Sequence, residues 1–156
     1  MRYQYDLIII GGGLAGSTLA KTMAEHGANV LVLERTKAFT DRVRGEQIHP
    51  WGVAEMKELG VYNLLEATCG HQLPWWDSYA NGEFTRRRDL PATTPQNAPE
   101  FAFYHPAMQD VLIQAASDAG AEVRRGAVVT QVQRNQHPTV TIQQDGQTQT
   151  ITAGSW

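Results

Sequence analysis

The sequence predicts an α/β fold that opens with a Rossmann-like βαβ unit and a parallel sheet, because three features follow one another within its first 35 residues. Asp6–Ile10 is a short apolar run, typical of a strand that is buried on both faces. Three glycines interrupt the chain, and residues 14–26 then place apolar side chains at helical spacing as far as Gly27, which suits a helix C-terminus. Asn29–Leu33 is a second apolar run, ended by Glu34. This order predicts two parallel strands with a right-handed helical crossover.

The remainder of the chain alternates between helical and hairpin patterns. Helices are expected at residues 51–59, 63–67 and 106–119, and single strands at 101–104, 122–125 and 128–133. The Asn-Gly and Asp-Gly turn signals predict hairpins that join 75–79 to 83–88 and 140–144 to 148–152. Leu90–Pro99 holds three of the seven prolines and is expected to be a loop. Trp75 and Trp76 alternate along a strand, so one of them is expected in the core.

Composition excludes several classes of function. Hydrophobic residues make up 42% of the chain and charged residues 19%, as in a globular domain. The formal net charge of −3 provides no basic footprint for nucleic acid. Cys69 is the single cysteine and has no metal-ligand spacing around it, so we expect neither an internal disulfide nor a metal site. The N-terminal apolar run is too short for a signal peptide or a membrane span, and we therefore expect a cytoplasmic protein.

The glycine-rich turn of residues 11–16 contains the pattern G-x-G-x-x-G in the context that gives it meaning: a strand before, a helix after, and an acid ending the next strand. Gly11 allows the tight turn, Gly13 lets the backbone approach a pyrophosphate, and Gly16 lets the helix pack closely against the strand. The helix N-terminus offers free N–H groups to phosphates. A glycine turn with a purely structural role is the alternative interpretation.

Glu34 completes this pattern, because its carboxylate can accept hydrogen bonds from ribose hydroxyls. A negative charge at this position disfavours a 2′-phosphate, so an NADP-type ligand is not expected there. The pattern predicts a dinucleotide but does not decide between NAD and FAD.

Three segments in the same order resemble one family. Asp6–Arg35 is similar to the FAD-binding start of para-hydroxybenzoate hydroxylase-like flavoprotein monooxygenases, a superfamily that includes geranylgeranyl reductases and flavin-dependent halogenases. A second stretch of that group is resembled by Arg44-Gly45-Glu46 and by the Pro50, Gly52-Val53 and Leu59-Gly60-Val61 that follow. His105 through Val132 resembles its helix–strand–strand segment. The resemblance implies a partial FAD-binding domain over residues 1–156, with its core at 1–60 and 100–135 and a hairpin insertion at about 71–99.

The resemblance also implies a set of cofactor-binding residues. These are Gly11, Gly12, Gly13, Leu14, Ala15, Gly16, Glu34, Arg35, Arg44, His105 and Val129. The glycine turn would hold the FAD pyrophosphate, Arg44 would pair with it, and Arg35 and the Val129 backbone would lie beside the adenine. His105 stands where the family usually has Arg or Gln near the ribityl–phosphate chain. A surface position for Arg44 and a helix-capping role for His105 are the structural alternatives, and no catalytic acid or base is assigned.

By this resemblance the chain is part of an FAD-dependent oxidoreductase, with FAD as cofactor and NAD(P)H as electron donor for the hydroxylation of an organic substrate. The family's chains are longer, so we expect the sequence to be truncated at its C-terminus, to bind FAD weakly and to be inactive alone. The alternatives are a geranylgeranyl reductase-like or halogenase-like enzyme, a non-catalytic dinucleotide-binding module and an NAD-dependent dehydrogenase domain.

Overall fold

The structure, a computed structural model, describes residues 4–42, 45–134 and 136–154. In chain order its elements are β1 (Leu7–Ile10), α1 (Leu14–Glu25), β2 (Val30–Glu34), β3 (Gln47–Ile48), α2 (Pro50–Glu58), α3 (Tyr62–Thr68), β4 (Gly70–Leu73), β5 (Trp75–Ala80), β6 (Glu83–Asp89), α4 (Leu90–Thr93), β7 (Glu100–Phe103), α5 (His105–Asp118), β8 (Glu122–Arg125), β9 (Val128–Gln133), β10 (Thr139–Gln144) and β11 (Gln147–Thr152). The described residues divide into two compact units: unit 1 comprises those of 1–40 and 109–156, and unit 2 those of 41–108.

Unit 1 is built on a parallel sheet in the order β1-β2-β8. Leu7 pairs with Val30, and Leu31 pairs with Glu122, so β2 is the central strand. All five residues of β2 are buried, as expected for a parallel strand covered on both faces. The α/β fold class and the parallel βαβ unit expected from the sequence are thereby confirmed.

The two faces of β2 belong to different hydrophobic clusters, because successive side chains of a strand point in opposite directions. Val30 and Val32 pack with Ala20 of α1 and Ala116 of α5. Leu31 and Leu33 pack on the other side with side chains of the antiparallel sheet β11-β10-β9, among them Val140, Ile142 and Ile151. The small side chain of Ala20, which is completely buried, lets α1 lie close to the sheet.

Unit 2 contains a three-stranded antiparallel sheet in the order β3-β7-β4, the helices α2, α3 and α4, and the hairpin β5-β6. Phe101 of β7 is completely buried and packs its ring against Tyr62 of α3. The hairpin turns at Asn81 and Gly82, both with positive φ, as its Asn-Gly sequence predicts. No helix of the described chain is long and apolar enough to cross a membrane.

The structure differs from the sequence-based expectations in three places within unit 2. Leu90–Thr93 forms α4, which begins with the side chain of Asp89 accepting a hydrogen bond from the Ala92 N–H. Pro91 is compatible with this helix, because a proline in the first turn loses no intrahelical hydrogen bond. Trp75 and Trp76 are both exposed, so the expectation of one core tryptophan is wrong. The short strands β3 and β4 were not expected, since neither has an apolar run.

Candidate functional site

The turn between β1 and α1 is shaped by glycines at positions where a side chain is excluded. Gly11 has a φ of 106°, and its N–H donates to the carbonyl oxygen of Leu33 at 2.9 Å, which ties the turn to β2. A Cβ on Gly16 would lie 2.0 Å from the carbonyl oxygen of Gly11. A Cβ on Gly12 would lie 2.6 Å from Cδ1 of Ile113 and 3.2 Å from Cβ of Glu34. Gly11 and Gly16 are therefore required by the fold of unit 1, whereas a side chain at Gly12 would have to displace the end of the Ile113 side chain.

Gly13 differs from its neighbours, because the fold does not itself require a glycine there. No atom lies within 4 Å of a Cβ built on Gly13. Its φ of −78° and ψ of −171° are accessible to any residue. The open space in front of Gly13 is available to a bound group, as the glycine of a phosphate-binding turn requires.

The N-terminus of α1 leaves backbone donors uncapped at the same place. Gly13 is the N-cap residue, no side chain caps the helix, and the first turn contains no acid. Leu14 and Ala15, the first residues of the helix, are exposed. The first N–H groups of a helix have no intrahelical acceptor and carry partial positive charge, so this end favours an anion. The Ser17 hydroxyl holds the turn from behind by donating to the carbonyl oxygen of Gly12 at 2.9 Å.

Glu34 is buried at the end of β2 and joins the turn to the strand. Its Oε2 accepts from the Gly12 N–H at 2.7 Å, and its Oε1 accepts from the Thr36 N–H at 2.7 Å. Desolvation is the largest single influence and would raise the pKa of this carboxyl. Hydrogen bonds from the Gly12 and Thr36 backbone and from the Thr36 side chain, together with the charge of Arg35, outweigh it, so the pKa lies below the ordinary value. A carboxylate offers about four acceptor positions, so the donors of Gly12 and Thr36 leave acceptor capacity for a ligand hydroxyl.

Arg35 and Val129 are the other expected site residues in unit 1. Arg35 is exposed directly after β2, and its charge is a further cause of the lowered pKa of Glu34. Val129 lies on β9 opposite Ile142, with its side chain packed against the cluster that contains Leu31 and Leu33. The side chain of Val129 therefore packs in the core, and only its backbone is available to contact a ligand.

Two expected site residues lie apart from this set. Arg44 falls outside the described residues. His105 belongs to unit 2, where it is the first residue of α5 and its N–H donates to Oε1 of Glu46 at 3.3 Å. The structure thus brings together the glycine turn, Glu34 and Arg35, and describes His105 in a separate unit.

Sequence reasoning missed the side chains that support the turn. Ser17 of α1 and Ile113 of α5 contact Gly12. Only Ser17 could have been identified from the sequence, because it directly follows the glycine pattern. It also missed Glu100, a fully buried carboxylate in unit 2 that is bonded by His49. A charged residue beginning the apolar run Glu100–Phe103 was the available signal. Within the described part of the chain, no cluster of three or more His, Cys, Asp or Glu side chains is arranged to hold a metal.

Comparison with known proteins places this geometry in a family. The sequence profile of the FAD-binding domain family matches residues 4–154. A squalene epoxidase of Candida albicans is 33% identical over 97 residues, which are 59% of this chain and 20% of that protein. A squalene monooxygenase of Panax ginseng is 37% identical over 81 residues, which are 52% of this chain and 15% of that protein.

Solved structures agree in fold. The p-nitrophenol 4-monooxygenase of Pseudomonas putida DLL-E4 superposes with a TM-score of 0.82 at 18% identity, covering 98% of this chain and 40% of that one. A Diels-Alderase of pyrroindomycin biosynthesis gives 0.75 at 26% identity, covering 96% and 31%. Aklavinone-11 hydroxylase in complex with FAD and aklavinone gives 0.73 at 20%, covering 99% and 32%.

The chain spans a fifth or less of the length of these curated relatives, with 20% and 15% of the two squalene-oxidising proteins covered. The family profile, in contrast, covers nearly all of this chain, from residue 4 to residue 154. The turn, the uncapped helix and the acid at the end of β2 are the features that the sequence pattern predicts for a dinucleotide site. The chain belongs to the FAD-binding domain family of flavin-dependent monooxygenases, and its cofactor is FAD.

Proposed function

We propose that unit 1 binds the ADP half of FAD through the glycine turn, with the pyrophosphate at the N-terminus of α1. The observation that carries this assignment is Gly13, where the missing side chain serves nothing in the protein's own packing. The space in front of it adjoins a helix end whose N–H groups are uncapped. Gly11, Gly12 and Gly16 shape the turn, and Leu14 and Ala15 supply backbone donors.

The remaining residues of the proposal have separate tasks. Glu34 receives the adenosine ribose hydroxyls on the acceptor positions that Gly12 and Thr36 leave open. Arg35 and the Val129 backbone flank the adenine. Arg44 pairs with the pyrophosphate as a bidentate cation, and His105 donates to the ribityl–phosphate chain. These roles for Arg44 and His105 rest on the resemblance of the sequence alone.

The whole protein, in this proposal, is an NAD(P)H-dependent monooxygenase that hydroxylates a small organic substrate. FAD, when bound, supplies the redox chemistry, and the chain binds and orients it. The relatives named as squalene epoxidases and as hydroxylases support an oxygenase. A cytoplasmic location and the absence of nucleic-acid partners belong to the same proposal, on the grounds of composition.

Replacing Gly13 by alanine tests the cofactor site without disturbing the fold. A methyl group at Gly13 meets no protein atom within 4 Å, so Gly13→Ala should unfold at the same temperature as the original chain. The same methyl would stand in the path of the pyrophosphate, and we expect FAD affinity, measured by quenching of flavin fluorescence, to fall about tenfold or more, or about 1.4 kcal/mol.

The control is Leu19→Ala, which changes an exposed side chain farther along the same helix. It should leave FAD affinity unchanged. NAD should not displace FAD from the original chain. Equal affinity of the original chain and Gly13→Ala would contradict the placement of the pyrophosphate at Gly13.

A further inference from the structure

Arg125 and Glu34 are neighbours at the carboxyl edge of the parallel sheet. They pair in register as the last residues of β8 and β2. Open α/β sheets bind ligands beyond the carboxyl ends of their parallel strands, which is where both residues lie. Val32 and Val123, two positions earlier on the same strands, pack in the cluster that includes side chains of α1 and α5. Because side chains alternate along a strand, Glu34 and Arg125 share that face of the sheet.

Two side chains hold the Arg125 guanidinium in place. Its Nη2 donates to Oδ1 of Asp110 on α5 at 2.7 Å. Its Cζ lies over the ring of Phe39, in the segment that follows β2, at 4.7 Å from the ring centroid. An ion pair and a cation–π contact together restrict a side chain that is otherwise flexible. We call Phe39, Arg125 and Asp110 the arginine platform.

The helix that supplies Asp110 also borders the glycine turn. Ile113, three residues farther along α5, has its Cδ1 2.6 Å from the place that a Cβ on Gly12 would occupy. Residues three apart lie on the same side of a helix, so Asp110 and Ile113 face the same way. The Gly12 N–H in turn donates to Glu34 at 2.7 Å. The arginine platform therefore lies beside the carboxylate to which the ribose is assigned.

Arg125 uses little of its hydrogen-bonding capacity within the protein. A guanidinium carries several N–H donors in one plane, and the bond to Asp110 is the single hydrogen bond that Arg125 makes in the described chain. Its side chain is 29% exposed. The preceding residue, Arg124, points to the opposite face of the sheet. Its guanidinium makes three hydrogen bonds, to Glu122, Gln149 and Tyr5. Arg124 is thus committed to the fold, whereas Arg125 retains donors and an exposed surface.

A planar cation that is backed by a ring on one side suits a flat π system on the other. Guanidinium groups are weakly hydrated and stack on aromatic faces, which a lysine ammonium cannot do. In ADP, the group bonded to the ribose is the purine ring of adenine. A ribose received by Glu34 would bring that ring next to Arg125, because the two residues are adjacent in the sheet.

We propose that the arginine platform is the surface on which the adenine ring of FAD stacks, with Arg125 between the purine and Phe39. Arg125 is a binding residue in this arrangement. Phe39 and Asp110 are positioning residues that act through it. The proposal rests on the cofactor site proposed above for unit 1, and it adds to that site the residues that recognise a flat base.

The test compares two probes, ADP and inorganic pyrophosphate, by calorimetric titration of the 156-residue chain. Arg125→Lys keeps the positive charge and a donor for Asp110 but removes the plane. We expect its affinity for ADP to fall about fivefold, which is about 1 kcal/mol, because the stacking contact is lost. Its affinity for pyrophosphate should stay unchanged, since that probe has no base.

Arg124→Lys is the matched control, because it makes the same replacement one residue earlier, on the opposite face of β8. It should leave the affinity for both probes unchanged. Nuclear Overhauser contacts give a second, independent readout. In the original chain with ADP bound, we expect contacts between the adenine protons H2 and H8 and the Cδ protons of Arg125. In Phe39→Leu, which lacks the backing ring, these contacts should weaken.

Equal ADP affinity of Arg125→Lys and the original chain would overturn the platform. An equal fall for both probes would also overturn it, because Arg125 would then act on the phosphates through its charge. Should Arg125→Lys fail to fold by circular dichroism, or should pyrophosphate bind too weakly to measure, the Overhauser contacts in the original chain decide, and their absence overturns the platform.

Gly13→Ala, measured in parallel, separates this proposal from the cofactor site on which it rests. If Gly13→Ala weakens ADP binding and Arg125→Lys does not, the platform alone is wrong. If the original chain binds no ADP, or binds it as tightly as Gly13→Ala does, the cofactor site assigned to the glycine turn is wrong.

Discussion

Glu34 shows how one side chain can serve both the fold and the ligand. Its two carboxylate oxygens each accept one backbone N–H, from Gly12 and from Thr36. The bond to Gly12 fixes the turn in the conformation that leaves the N-terminus of α1 uncapped. Because the carboxylate is buried yet hydrogen-bonded, its charge is stabilised before any cofactor arrives. Preorganisation of this kind lowers the cost of binding a ribose.

The lowered pKa of Glu34 predicts an acid-dependent loss of stability. The folded-state pKa lies below the ordinary value, so Glu34 stabilises the fold at neutral pH. This contribution persists above the unfolded-state pKa and is lost as the pH falls through the folded-state pKa. Glu34→Gln should reduce the free energy of unfolding at pH 7 by about 1–3 kcal/mol, since one backbone N–H loses its acceptor.

Urea denaturation between pH 7 and pH 3 measures this effect. The variant should be less stable than the original chain at pH 7, and the difference should shrink in acid. Glu58→Gln, at the exposed end of α2, is the control and should leave the stability at pH 7 unchanged. A constant difference between Glu34→Gln and the original chain at every pH would show that the charge of Glu34 is not involved.

At the scale of elements, α1 packs mainly through small residues, and of its three large apolar side chains only Met23 contacts the core cluster. Leu14 and Leu19 are exposed, whereas Ser17, Thr18 and Ala20 are buried. Small side chains, like the missing side chain of Gly16, allow α1 to lie close to the sheet. The face of α1 that is buried is therefore the one with small residues. The side chain of Thr18 carries a buried hydroxyl for which the described residues provide no hydrogen-bond partner.

Thr18→Val should therefore stabilise the chain. The replacement keeps the branched shape and removes a buried polar group that is unsatisfied within the described chain. A buried hydroxyl without a partner costs about 1–3 kcal/mol, of which we expect roughly 1 kcal/mol to be recovered as free energy of unfolding. Thr148→Val, at an exposed position on β11, is the control and should change stability by less than about 0.5 kcal/mol. A destabilised Thr18→Val would mean that the hydroxyl has a partner.

Elements with a local signal could be predicted from the sequence, and elements without one could not. The βαβ unit, α5 and both hairpins follow from apolar periodicity and from turns such as Asn81-Gly82. The strands β3 and β4 form because each pairs with β7, and this pairing joins residues that are far apart in the sequence. Glu100 is the clearest case at the level of a site. Its partners Gln47, His49 and Trp76 lie 53, 51 and 24 residues away in the chain, so no spacing rule connects them.

At the scale of the whole molecule, the candidate cofactor site and the exposed indoles fall in different compact units. The glycine turn and Glu34 belong to unit 1, whereas Trp51 and Trp76 belong to unit 2. Resonances of the turn and resonances of the indoles therefore report on separate units. The described tryptophans, Trp51, Trp75 and Trp76, all lie in unit 2, which makes indole signals a specific probe of that unit.

ADP should consequently act on unit 1 alone, because it contains the pyrophosphate and the adenosine but no flavin. We expect ADP to shift the backbone amide resonances of Gly12, Leu14 and Ala15 and to leave the indole resonances of unit 2 in place. With ADP at about 100 times its dissociation constant, the folded state should gain about 2.7 kcal/mol. In Gly13→Ala, an affinity about tenfold weaker should lower this gain to about 1.4 kcal/mol at the same ADP concentration. If ADP instead shifted the Trp51 and Trp76 indoles while the turn residues stayed still, the nucleotide would bind in unit 2 and the assignment of the glycine turn would be wrong.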